Sequence, residues 1–163
     1  MTAPFTLVIS DASTLTDWAW ATAREDVEAA VRVLRGRKMT EPPGFYDEIA
    51  AALQFPYYFG ENLAALDECL TDLEWLPANR YVLVIQDAAH VLSTPASEPA
   101  FAAWIELLAN ARRTWTTPVT DGEPWDRPAR GFSIVMHATP DDAARLRQRL
   151  GAAKAPYDER AIA

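Results

Sequence analysis

Apolar residues recur at two different periods along this chain. Three short runs are apolar almost throughout: Phe5-Thr6-Leu7-Val8-Ile9, Tyr81-Val82-Leu83-Val84-Ile85 and Phe132-Ser133-Ile134-Val135-Met136. Such runs, rich in β-branched residues and bounded by breakers, predict strands, and the last two read as central strands buried on both faces. Val31-Arg32-Val33-Leu34-Arg35 alternates more weakly and predicts a further strand, closed by Gly36. Between these runs the apolar positions follow a helical period. Helices are predicted over 14–30, with Trp18, Trp20, Ala21, Val27 and Ala30, and over 45–53, with Phe45, Ile49, Ala52 and Leu53 on one side. Three more are predicted over 62–73, over about 98–113 with Phe101, Trp104, Ile105 and Leu108 as its stripe, and over 140–150. Pro42-Pro43-Gly44 reads as a break, and residues 88–92 as a short helical turn. Residues 114–130 are polar and Pro-rich, hold Trp115 and Trp125, and read as a loop longer than ordinary connections. The last dozen residues read as frayed.

Strands that alternate with helices predict an α/β fold: a small, mostly parallel sheet of three to four strands flanked by helices. A chain of 163 residues is long enough for a substantial core and reads as one domain.

Composition narrows the class. Apolar residues make up 50% and charged residues 23%, which fits a soluble globular chain. No apolar run approaches the roughly 20 residues of a membrane span. The start, Met1-Thr2-Ala3-Pro4-Phe5, lacks the basic and apolar pattern of a signal peptide, and the one cysteine cannot form an internal disulfide. Both point to a reducing cytoplasm. A strong preference for Arg over Lys, with abundant Ala, suggests a high-GC bacterial source.

The net charge of −8 is unevenly spread. Residues 56–111 hold one basic side chain, Arg80, against eight acidic ones. Such a surface repels nucleic acid and steers basic proteins toward it. Its centre is the stretch Pro56 to Trp75. Tyr57, Tyr58 and Phe59 lead into Gly60, which is expected to supply a positive-φ turn. Asn62 is a good N-cap. Leu63, Leu66, Leu70 and Leu73 form one stripe with Cys69 at its edge, and Asp67, Glu68, Thr71 and Asp72 form the other face. Asp72 and Glu74 crowd the last turn, where the helix dipole favours cations. One reading is a solvated face that happens to be acidic; the other is that it serves a basic partner. Tyr57, Tyr58 and Phe59 divide in the same way, between contact residues and a hydrophobic staple on the helix entrance.

The run PYYFGENLAALDECL resembles the signature stretch of the barstar-like family of intracellular ribonuclease inhibitors, with Gly60, Glu61, Asn62, Cys69, Leu70 and Thr71 in register. The resemblance is dense over 55–77 and thinner over about 31–112, and 131–137 corresponds to the family's last strand. Residues 1–30 then read as a strand–helix extension, and residues 113–130 have no counterpart. The resemblance implies a parallel sheet of 31–35, 81–85 and 132–136, with 5–9 added at one edge. It implies that Glu68 is the main acidic anchor, a carboxylate that enters the nuclease's phosphate site and mimics phosphate against Arg and Lys. Gly60, Asn62, Ala65 and Thr71 match other contact positions. The chain departs from the pattern in having Ala64 for Asp, Asp67 for Trp, Asp72 for Gly and Leu73 for Trp, and Asn110 near the second acidic anchor. These departures point to a related ribonuclease, or another basic protein, as target.

The expected partner face is therefore Tyr57, Tyr58, Gly60, Asn62, Ala65, Asp67, Glu68, Thr71 and Asp72. The partner is a basic protein, a ribonuclease first, with an immunity-type protein for another basic partner as the alternative. No nucleic acid, membrane, cofactor or metal is expected, and the sequence leaves the oligomeric state open. An enzyme reading rests on Cys69 with His90 or His137, since both histidines follow predicted strands, where α/β sites form. Against it, Cys buries readily as a small apolar residue. The chain has no P-loop, dinucleotide fingerprint, nucleophile elbow or metal-spaced Cys/His set.

Overall fold

The computed structural model describes residues 2–163. Five strands form one sheet: β1 (Phe5–Ile9), β2 (Ala29–Arg35), β3 (Arg80–Gln86), β4 (Gly131–Ala138) and β5 (Tyr157–Glu159). Five helices connect them: α1 (Ala12–Glu25), α2 (Pro42–Leu53), α3 (Leu63–Asp72), α4 (Glu98–Thr116) and α5 (Ala143–Ala152). The strand order is β2-β3-β4-β1-β5, and every pairing is parallel.

This order decides where the helices lie. Parallel crossovers are right-handed, so the direction of travel across the sheet fixes the face that each helix covers. From β2 the chain moves through β3 and β4 toward β5, and the connecting helices all cover one face. There Leu66, Leu70, Trp104, Leu108, Leu146 and Leu150 pack with Leu34, Tyr81, Leu83, Ile85, Ile134 and Met136. The step from β1 to β2 runs the opposite way, so α1 lies on the other face. Leu15 and Trp18 pack there with Val8, Val82, Val84 and Val135, joined by Ile162. All of Tyr81 to Ile85 is buried, which explains why that strand reads as a continuous apolar run.

Several expectations are corrected. The sheet has five strands, and β1 lies between β4 and β5 rather than at an edge. The last residues are not frayed, because Tyr157–Glu159 pairs with β1 and Glu159 binds Arg147 at 2.7 Å. The first helix stops at Glu25, not at residue 30. Asp26 is extended, its carbonyl accepts from Ala29, and the chain enters β2, leaving Val27 exposed. Pro42 and Pro43 open α2 rather than break the chain, because proline's missing N–H costs nothing in a first turn. Trp115 belongs to α4 and is buried, so the long loop is 117–130.

Two details hold the frame. A Cβ on Gly36 would come within 2.4 Å of the Asp87 carbonyl, so only glycine lets the end of β2 approach the end of β3. The outer edge of β2 is also capped. Arg35 N–H donates to Glu48 Oε1 at 3.0 Å, and the Arg32 guanidinium donates to the Val31 carbonyl at 3.1 Å. An open edge of unpaired peptide groups invites strand addition, and these side chains occupy part of it.

Candidate partner-binding face

The face is built from the loop 54–62 and helix α3. Phe59 packs into Phe55 (4.9 Å between centroids) and Tyr46 (6.0 Å), and Phe55 meets Trp75. The Trp75 indole donates to the Leu53 carbonyl at 3.0 Å, which pins the start of the loop. With this inner layer fixed, Tyr57 and Tyr58 are left outside, fully and 64% exposed, with their rings edge to face at 5.7 Å. Phe59 is half-buried and belongs to this inner layer.

The turn into α3 differs from expectation. Gly60 has no positive φ; Glu61 takes the left-handed conformation, at φ 49°. Gly60 is close to the cap instead: Asn62 Nδ2 donates to its carbonyl at 3.0 Å, and a Cβ on it would lie 3.1 Å from that nitrogen. Asn62 Oδ1 accepts from Ala65 N–H at 2.9 Å, as an N-cap should. Leu66, Leu70 and Leu73 are buried, each worth roughly 1.5–3 kcal/mol against exposure. Leu63 and Ala65 are half-buried.

The polar side of α3 divides in two. Glu68 and Asp72 are exposed, as are Glu61 before the helix and Glu74 after it. Among the described residues no cation lies within salt-bridge distance of any of the four. Asp67 faces α4 instead and accepts from Asn110 Nδ2 at 3.1 Å, while Asn110 Oδ1 accepts from Arg113 at 3.0 Å. Ala64 is exposed, and the Thr71 hydroxyl donates back to the Asp67 carbonyl at 2.8 Å. The uncompensated acids reach the loop: loss of solvent and then the nearby Asp72 push the Tyr58 hydroxyl above its usual pKa.

The last turn of α3 has its own anchor, which sequence reasoning missed. The Trp115 indole N–H donates to the Leu70 carbonyl at 2.8 Å, taking one of the acceptors a helix C-terminus leaves open. A buried indole N–H usually finds such a partner, but the Pro-rich residues after Trp115 hid the end of α4.

Three concavities of about 400, 380 and 430 Å³ lie beside β2, α1 and α2, and none of the three is lined by an α3 residue. The Cys/His grouping is not assembled either. Cys69 is buried, and loss of solvent, with Asp72 and Glu68 nearby, pushes its thiol up and keeps it protonated. His137 is fully buried, accepts from Asp87 N–H at Nδ1 and pairs through Nε2 with the Ser10 carbonyl. His90 Nε2 pairs with Asp142 at 2.8 Å. No group of side chains suited to hold a metal occurs among the described residues. No helix there is long and apolar enough to cross a membrane.

No curated protein matches this sequence significantly. The family model described as Barstar (barnase inhibitor) matches residues 29–137, most of the chain, spanning β2 to β4 with the acidic helix between them. By that match, and by the parallel α/β sheet that carries it, this chain belongs to the barstar family.

Proposed function

We propose that this chain is a cytoplasmic inhibitor that plugs the active site of a basic ribonuclease with the exposed face of α3 and the Tyr57-Tyr58 loop. The observation that carries the reading is the set of unpaired carboxylates around Glu68 on the exposed side of α3, flanked by two exposed tyrosines. A ribonuclease must gather cations to hold phosphate, and a carboxylate fixed on a helix offers the same charge without a bond to cleave. The helix tolerates carboxylates at its unfavourable end, each at a cost of a few tenths of a kcal/mol, which fits a face shaped by a partner. Tyr57, Tyr58, Gly60, Asn62, Ala65, Asp67, Glu68, Thr71 and Asp72 make up this surface. Of these, Asp67 acts from the flank, because Asn110 already occupies one of its oxygens. The acidic surface gives the chain no affinity of its own for RNA. Cys69 is buried and its thiol is pushed up, which speaks against the Cys/His enzyme reading.

A second reading keeps the face and changes the partner. The Asp67–Asn110–Arg113 chain places a cation beside the acids, which suits a basic target unlike barnase.

Calorimetric titration of barnase with wild type and Glu68→Ala tests the first reading. Truncation is expected to weaken binding by roughly 2–5 kcal/mol, because it leaves the partner's cations unpaired. The melting temperature should stay within a few degrees. Equal affinity of the two proteins would remove α3 as the plug. Failure of wild type to bind barnase, with tight binding to another basic protein, would move the assignment to the second reading.

A further inference from the structure

The loop 117–130 is long but tightly held. Arg127 lies beneath it and donates to the Thr114, Trp115, Thr117 and Pro128 carbonyls at 2.8–3.4 Å, with its guanidinium 4.5 Å from the centre of the Trp115 ring. Val119 and Arg127 exchange both main-chain bonds as an antiparallel bridge. The Asp126 carboxylate accepts from the Asp121 and Gly122 N–H groups at 2.8 Å each, and Gly122 turns the chain at φ 83°. Arg130 N–H donates to the Trp115 carbonyl at 2.8 Å.

This framework leaves a large apolar side chain outside. Trp125 is 65% exposed, with Asp121 and Glu123 exposed beside it. A large aromatic ring on an ordered backbone gives up little freedom on binding, which is why Trp is favoured at interface hot spots.

The loop is also tied to the helix that carries the acidic face. Trp115, the residue over which Arg127 lies, bonds to the Leu70 carbonyl at the end of α3. Along α4 the connection is just as short: Asp67 meets Asn110, Asn110 meets Arg113, and the Arg113 carbonyl accepts from the Thr117 hydroxyl at the base of the loop. These bonds tie the base of the loop to the last turn of α3 and to Asp67, the neighbour of Glu68.

We infer that Trp125 is a second anchor for the same basic partner, stacking on an Arg or Lys side chain beside the site that α3 fills, with Asp121 and Glu123 facing that cation. This rests on the reading of α3 as the plug. An indole face is the strongest of the aromatic partners for a cation, and the flanking carboxylates add to the attraction. The loop thereby widens the contact beyond α3 and the Tyr57-Tyr58 loop and adds a further aromatic element to it.

The test uses the full chain and barnase, with wild type, Trp125→Ala, Trp125→Phe and Glu68→Ala measured side by side by calorimetry. Trp125→Ala is expected to weaken binding by about thirtyfold, as for an aromatic hot spot, with Trp125→Phe intermediate. The melting temperature of both should match wild type, because Trp125 is exposed. If Glu68→Ala weakens binding while Trp125→Ala leaves it unchanged, the plug stands and the second anchor is wrong. If Trp125→Phe binds no better than Trp125→Ala, the cation-stacking role is wrong. If neither Trp125→Ala nor Glu68→Ala changes affinity, both readings fall. If wild type does not bind barnase, the ribonuclease reading and the second anchor built on it fall, and the same face with another basic partner is left.

Discussion

Asn110 on α4 donates to Asp67 on α3 at 3.1 Å while accepting from Arg113 one turn further on. The amide joins the two helices and links one acid of the face to the Arg113 cation. In a double-mutant cycle in urea, Asp67→Ala and Asn110→Ala should couple by about 0.5–1.5 kcal/mol, the worth of one partly buried hydrogen bond. Arg113→Ala should tighten binding to barnase a few-fold, because it removes like charge from the rim. Strict additivity of the cycle would show that the two residues act independently.

Asp72 is the last residue of α3, where a negative charge opposes the helix dipole. Asp72→Lys should raise stability by about 0.5–1 kcal/mol and slow association with barnase, the slowing being strongest at low salt. Thermal melts and stopped-flow mixing read the two effects separately. An association rate that does not change would mean Asp72 lies outside the contact.

His137 predicts a pH dependence. Burial holds its pKa below the ordinary 6.5, against the smaller upward pull of Ser10 and Asp87. The unfolded chain therefore binds more protons than the native one as pH falls below about 6.5. Stability is complete above that value and declines as pH drops toward the native pKa. The decline between pH 7 and 5 should be smaller in His137→Gln, judged by slope because the variant starts less stable. Parallel slopes would assign the acid sensitivity to other groups.

The sheet was legible where burial acts on both faces of a strand. Val82, Val84 and Ile85 admit no polar neighbour, so β3 announces itself. β5 does not, because Tyr157, Asp158 and Glu159 are half or fully exposed and only their main chain pairs with β1. The candidate face was legible as composition, in the run from Tyr57 to Asp72. Its division was not, since Asp67 and Glu68 are neighbours in sequence and only the position of α4 sends one inward. Glu61 gave no sign of its positive φ, because that conformation follows from the cap that Asn62 makes with Ala65 and Gly60.

The strand order has a consequence for synthesis. β1 is made first, yet both of its partners, β4 and β5, are made last. On the ribosome Phe5–Ile9 has no neighbour to join until Gly131–Ala138 has emerged, whereas β2, α3 and β3 follow one another closely. Contacts between distant segments form slowly, because loop closure must be met before pairing repays it. Pulse-labelled amide exchange during refolding should therefore protect β2 and β3 before β1. The half of the chain that carries the acidic helix takes shape while its own first strand is still waiting.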